Sequence, residues 1–415
     1  MTNDTKLIKI ADYTYTLPES RIAKYPLEAR DTSKLLIYNR GALLQNKFHK
    51  LTDYLPEDGL MVWNDSRVLN ARLVFHKSTG ARVEIFCISP AGEQDYSTAL
   101  QSKEKTTWKC IIGNLKKWKT GALTGIFNVD DKAIKIQAKL IERGKTEHVV
   151  EFSWDDTRTT FAAIMEHSGL TPIPPYLKRE SEQIDRQRYQ TVYSQNSGSV
   201  AAPTAGLHFS EKMLEKLRES NIQISSLTLH VGTGTFQPVK TKQIGNHNMH
   251  TEYFYASRDL LKQLKTHQGK ITAVGTTSLR GMESLLQAGI KAMQGETQLD
   301  APQHITQWEA YNRPEGISLE RVLDFMIEET DRLNINHIHG KTSMMIAPGY
   351  PFLLPDRLIT NFHQPGSTLL LLIAAYIGDD WKKIYDYALQ HGFRFLSYGD
   401  STLLIPKGNK GLGEA

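Results

Sequence analysis

The sequence predicts an α/β protein in which a layered α/β domain is interrupted by an inserted all-β, barrel-like domain. Three observations predict it. Between about Arg72 and Asp155, short alternating segments such as Val83–Cys87 and Trp108–Ile112 are separated by Gly- and Lys-containing turns, without a sustained helical period. On both sides of this region, apolar runs lead into Gly/Pro-rich loops and then into segments of helical period, as layered α/β domains require. At 415 residues, the chain also exceeds what one hydrophobic core usually organises. The expected division is a discontinuous α/β domain over 1–71 and 156–415, with an accessory insertion at 294–340, and a β-barrel-like domain over 72–155.

In chain order, the first element is the apolar run Leu60–Trp63, which meets Asn64, Asp65, Ser66 and Arg67 at a strand end. These residues combine a carboxylate with a guanidinium, and taken alone they read as a turn with a surface ion pair. Within the β region, Lys116, Lys117, Trp118 and Lys119 mix charge with an aromatic ring, which suits either RNA or a solvated turn. After it come three units of loop and helix. The loop Ala201–His208, with Pro203, Thr204 and Gly206, leads to Ser210 as N-cap and to Met213, Leu214 and Leu217 on one helical face. The run Ile271–Val274 meets Gly275, Thr276, Thr277 and Ser278, followed by Leu279, Met282, Leu285 and Leu286 at helical spacing. The run Leu358–Ile359 meets the loop Asn361–Gly366, which Ser367 closes as a cap before an apolar helix. Each unit aims free backbone N–H groups at whatever lies over the strand ends, where ligands bind in open α/β sheets.

Between these units, alternation in Leu227–Val231 puts His230 on the face opposite Leu227, Leu229 and Val231, away from the apolar core. Gly232 and Gly234 follow, flanking small residues that let backbone approach a ligand; no third glycine stands at dinucleotide-binding spacing. His247, His250 and Glu252 lie close together without the spacing of a metalloprotease site, so acid–base work or hydrogen bonding is expected and no metal. His250 and Glu252 share a face if the run is extended. Ser318, followed by Leu319, Val322, Leu323, Met326 and Ile327, reads as an amphipathic helix, an accessory element.

Cys87 and Cys110 are far apart and form no C-x-x-C, so neither a disulfide framework nor a zinc ribbon is indicated, and a reducing cytoplasm is expected. The polar start of the chain argues against a secretory signal, and Leu369–Ile377 is too short to cross a bilayer. The net charge of +5 is spread along the chain, which permits nucleic-acid binding without demanding it.

These motifs, with Ile22–Asp31, Pro172–Tyr176, Arg188–Tyr193 (including Tyr189) and Ser397–Asp400 in the same collinear order, resemble the S-adenosylmethionine:tRNA ribosyltransferase-isomerases of queuosine biosynthesis. The resemblance implies S-adenosylmethionine as ribosyl donor and tRNA carrying 7-aminomethyl-7-deazaguanine at the wobble position as acceptor. Epoxyqueuosine, adenine and methionine are the implied products. It also implies a barrel-like insertion in an α/β domain and no metal or redox cofactor; a monomer without membrane attachment is expected. His208, His230, His250 and His363 are the expected acids and bases, with Glu252 and Asp65 orienting them. Asn64, Tyr189, Pro203, Thr204, Gly206, Gly232, Gly234, Thr235, Gly275, Thr276, Thr277, Asn361 and Ser367 are expected around the substrates. Arg67 and Arg280 are expected to take the methionine carboxylate or a tRNA phosphate.

The chain also departs from that family. Thr342–Ala347 replaces a Thr-Asp-Ile-Phe-Ile-Tyr pattern, placing Ser343 at the carboxylate and Ala347 at an aromatic, and Gly366 stands where lysine is usual. Two alternatives follow: a divergent paralogue that uses S-adenosylmethionine with another acceptor, and a non-catalytic tRNA-binding relative. A methyltransferase ranks behind both, because its glycine-rich strand-to-helix loop is not evident.

Overall fold

A computed structural model describes residues 2–77, 79–92, 96–232, 234, 238–354 and 356–408. Ten strands form one sheet, in the order Gln303–Ile305, His337–Thr342, Glu252–Ser257, Gln223–His230, Leu60–Asn64, Ile271–Val274, Arg357–Asn361, Ser401–Ile405, Lys34–Asn39 and Ala42–Lys47. The four middle strands, from Gln223–His230 to Arg357–Asn361, are parallel. Leu60–Asn64 and Ile271–Val274 are buried throughout, as parallel strands covered on both faces must be. Antiparallel pairings begin on either side of this core.

Period-two alternation sorts the core into two layers. Leu60, Val62, Ala273 and Leu358 pack with Leu261, Leu279, Met282 and Leu370 of the helices Arg258–Thr266, Thr276–Met293 and Thr368–Ile377. On the other face, Met61, Trp63, Val274 and Ile359 pack with Met213, Leu214 and Leu217 of the helix Glu211–Glu219. Ser210 and Ser367 cap their helices as expected, and Ser318 caps a third, each accepting from the N–H three residues on. Gly275 does more than was read from the sequence. Its φ of +91°, a conformation that favours glycine, turns the chain so sharply that Thr276–Ser278 are already the first turn of the helix.

The second sheet is antiparallel, in the order Arg72–His76, Arg82–Pro90, Lys105–Gly113, His148–Trp154, Lys132–Arg143 and Leu123–Val129. Its outer strands curl toward each other, with Phe75 and Phe127 edge to face at 5.1 Å, so the sheet is nearly closed and barrel-like. It has its own apolar cluster, including Trp108, Ile136 and Phe152. Trp118 belongs to that cluster and donates its indole N–H to Gly121, so it is a packing residue rather than a stacking surface for RNA. Cys87 and Cys110 are free and buried, yet sit opposite each other on paired strands with their sulfurs 3.9 Å apart, a proximity that sequence separation concealed.

The stretch 294–340 supplies the edge strand Gln303–Ile305, the start of His337–Thr342 and the helix Leu319–Arg332. Met326 and Val322 press on Gly289 so closely that a Cβ there would meet the Met326 sulfur at 2.3 Å. The apolar run near Leu369 is a buried helix, and among the described residues no helix is long and apolar enough to cross a membrane.

Candidate functional site

The carboxyl ends of the parallel strands, together with the amino ends of Ser401–Ile405 and Lys34–Asn39, open on the same edge of the sheet. Strand order reverses around Leu60–Asn64, with Gln223–His230 on one side and Ile271–Val274 on the other, so connecting loops part there and leave a crevice. The cleft at this edge encloses about 650 Å³, open solvent at its mouth included, and is lined by Thr204, Gly275, Thr276, Thr277, Asn361, His363 and Ser367 among others. Thr276 and Ser367 stand at the amino ends of two helices, which favour a ligand's anionic groups. The Thr277 hydroxyl and the Asn361 side-chain carbonyl oxygen are buried without a partner among the described residues, which suits them to bind a ligand.

Thr276 and Thr277 also line an adjoining compartment, which Arg280, Met249, Met344 and Met345 complete. Here Glu252 is buried and holds three groups. The Arg280 guanidinium pairs with its Oε2, while Oε1 accepts the Gly232 N–H at 3.1 Å and meets His250 Nε2 at 2.9 Å. Burial, reinforced by Arg280, pushes the His250 imidazole down to about 3, so the ring is neutral near pH 7. A neutral ring that donates Nε2–H to the carboxylate keeps Nδ1 as an acceptor. Gly234 packs directly against that ring; a Cβ on it would lie 2.2 Å from Nδ1. Burial lowers Arg280 only to about 10, leaving it charged.

The other histidines are held differently. Asn361 Nδ2 lies 3.1 Å from His208 Nε2 and Ser33 Oγ lies 2.8 Å from Nδ1, so an amide donor and a hydroxyl fix the ring, which burial, then Arg394 and Arg30, hold at about 3. His208 thereby orients the Asn361 amide, sitting behind the main cleft rather than in it. His363 lines the cleft with Nε2 at 2.9 Å from Thr360 Oγ1, and burial holds it at about 3. His230 is off the apolar core, as alternation predicted, but faces a separate cleft between the two sheets. That cleft spans about 1320 Å³, open solvent included, and its walls include Tyr96, Tyr255, His337, His339 and Asn196. The Tyr96 ring is 5.0 Å from His230, and burial lowers His230 to about 4.

The structure does not bring the remaining expected residues to the main cleft. Asn64 uses its amide to clamp Leu229 N–H and C=O, each at 2.9 Å, and Asp65 accepts the Thr228 hydroxyl at 2.7 Å beside the second cleft. Arg67 forms a half-exposed pair with Glu166 at 3.1 Å, not with Asp65 as its local sequence alone suggested. Tyr189 is buried among Leu177, Leu207 and Tyr398. Pro203 and Gly206 shape the turn Thr204–His208, in which a Cβ on Gly206 would strike the Tyr193 hydroxyl at 2.0 Å. Thr235 lies outside the described residues. Among the described residues, no three His, Cys, Asp or Glu side chains are grouped as a metal site requires.

Sequence reasoning missed Ser33, Thr360, Ser397, Met249 and Met344 as lining or orienting residues. The only signal for Ser397 was its place in a quoted motif; Ser33 and Thr360 carried none until distant strand ends were seen side by side.

The chain matches the family model described as queuosine biosynthesis protein over residues 10–306 and 316–404. It is 34% identical over 403 residues to the S-adenosylmethionine:tRNA ribosyltransferase-isomerase of Trichlorobacter lovleyi, covering 95% of this chain and 99% of that protein. A relative of the same name from Francisella philomiragia is 34% identical over 400 residues, covering 95% of this chain and 99% of its own length. A solved structure, the S-adenosylmethionine tRNA ribosyltransferase of Thermotoga maritima, aligns over 95% of this chain and 100% of that chain, with 24% identity and a TM-score of 0.45.

Proposed function

The chain belongs to the queuosine biosynthesis protein family, and from that premise we propose that it transfers and isomerises the ribosyl moiety of S-adenosylmethionine onto 7-aminomethyl-7-deazaguanine at the wobble position of tRNA. The products are epoxyqueuosine-tRNA, adenine and methionine. Full-length kinship to relatives that bear this enzyme's name supports the overall reaction. The observation that carries the site assignment is the buried Glu252, which joins His250, Arg280 and the Gly232 N–H beside the main cleft.

The donor's sulfonium acidifies the adjacent ribose C5′ hydrogens, so a base held against that carbon can remove one. We assign this to His250 Nδ1, with Glu252 fixing the tautomer and Arg280 holding Glu252 in place. Loss of adenine, attack by the aminomethyl nitrogen and epoxide closure with expulsion of methionine complete the sequence. Thr277, Asn361 and the helix ends at Thr276 and Ser367 hold the donor; His363 contributes its buried ring beside them, and His208 acts through Asn361. The second cleft, walled in part by Tyr96, His230, His337 and His339, receives the RNA on this reading. On this reading the unit 72–155 is a domain inserted into an α/β domain of 1–71 and 156–415, with 294–340 as an accessory insertion. The protein works in the cytoplasm as a monomer; its two free thiols accord with a reducing compartment.

Met345 lines the Arg280 compartment at the position where the resembled pattern carries an aromatic, which favours one second reading, a changed acceptor. One assay separates the two. Purified protein is given S-adenosylmethionine with and without tRNA carrying 7-aminomethyl-7-deazaguanine, and adenine, methionine and digested nucleosides are measured. Adenine release that requires this tRNA, with epoxyqueuosine in the digest, is expected. Adenine release with no epoxyqueuosine would point to another acceptor, and no release from folded protein that binds the donor would overturn the catalytic reading.

A further inference from the structure

Beside the main cleft lies a smaller one to which the assignment above gives no ligand. It meets the main cleft at Ser397, and His208, bonded to Asn361, forms part of its wall. Arg30, Arg188 and Arg394 face it. Among the described residues one carboxylate pairs with them, Asp400, 3.7 Å from Arg394, which already accepts the backbone N–H groups of Lys34 and Arg394, and Glu211 partly offsets the charge of Arg30 from farther away. Arg30 donates instead to the carbonyls of Gln190 and Gln187, at 2.7 and 3.0 Å, and Arg188 to those of Leu27 and Glu28. These bonds hold two guanidiniums in place without cancelling their charge. Arg188 Nε is buried with no partner among the described residues. The uncompensated charge is felt locally: burial and then Arg188 hold Arg30 below its ordinary value, and Arg394 and Arg30 add to the burial that suppresses His208.

Like charges held together in a partly buried cleft are unfavourable until an anion joins them. We propose that this cleft is a subsite for an RNA phosphodiester, which sets the acceptor nucleotide against the main cleft. The proposal rests on the tRNA reading above. One guanidinium fork suffices for a carboxylate such as that of methionine, whereas three spread around one cleft match a tetrahedral anion. Arg394 keeps about a third of its side chain exposed, so a polymer backbone can reach it from solvent.

The test compares the wild type with Arg30→Gln and Arg394→Gln, which keep an amide donor for the neighbouring carbonyl or carboxylate but lose the charge, and with Arg394→Lys, which keeps it. Binding of an unmodified tRNA transcript is measured across a salt series, S-adenosylmethionine binding by calorimetry, and folding by thermal melting. Each Gln variant is expected to weaken tRNA binding about tenfold at low salt and to reduce the salt slope by about 1, with donor affinity unchanged and partial recovery in the Lys variant. Weakened donor binding with unchanged tRNA binding would assign the cleft to the methionine carboxylate and overturn the proposal. No change in either, from folded variants, would make the arginines purely structural and overturn it too. A wild type that binds no tRNA at any salt would overturn the tRNA reading itself.

Discussion

Glu252 is the residue on which most of the site converges, and it is replaceable in a way that separates its roles. Glu252→Gln keeps the shape but leaves Arg280 as a buried charge without its partner, which costs about 3 kcal/mol of stability, readable as a lower urea midpoint. His250→Asn leaves the Glu252–Arg280 pair intact, so adenine release is expected to fall about 100-fold or more while the urea midpoint moves little. Equal activity in His250→Asn and wild type would remove His250 from the mechanism. The sequence made both residues visible, because an extended run puts positions two apart on one face. It could not show their partner: Arg280 lies on a helix that only the folded sheet brings over Glu252. Asn64 and Arg67 fail for the opposite reason. Their residue types suit ligand binding, but distant parts of the chain already employ them, Leu229 on the neighbouring strand for Asn64 and Glu166 for Arg67.

At the scale of elements, strand-to-helix turns build the cleft, and their geometry is demanding. Gly275→Ala forces a side chain into φ +91° and is expected to cost about 1–3 kcal/mol in chemical denaturation, with weaker S-adenosylmethionine binding as the helix amino end shifts. Ser367→Ala loses the cap on Leu370 N–H and is expected to cost about 1 kcal/mol. An unchanged donor affinity in Gly275→Ala would detach this turn from the binding site. Caps and helical periods were legible because both are local: Ser210, Ser318 and Ser367 all lie where the pattern starts. The order of the strands was not, since pairing Arg357–Asn361 with Ser401–Ile405, or placing His337–Thr342 beside Glu252–Ser257, depends on contacts that no local pattern encodes.

Across the whole molecule, the buried His208, His230 and His363 and the half-buried His250 link stability to acidity. His208, His250 and His363 are held at about 3 and His230 at about 4, against 6.5 for an unperturbed ring. Above about pH 6.5 both folded and unfolded chains carry these rings neutral. Below it the unfolded chain takes protons first, so stability falls as pH drops from 6.5 toward 4, by up to about 1.4 kcal/mol per pH unit for each ring. Urea midpoints at pH 7, 6 and 5 check this; a flat series would mean that the rings are solvated. The fold class was legible because 72–155 changes period so abruptly, and the edge-to-edge closure through Phe75 and Phe127 was not. The pairing of Lys34–Asn39 with Ser401–Ile405 imposes an order on biosynthesis. On the ribosome, the six-stranded unit can close as soon as Trp154 has emerged. The first two strands of the large sheet must wait, unsheltered, for Ser401–Ile405 before Ser33 and Asn361 can meet across His208, so the site is finished well after the six-stranded unit.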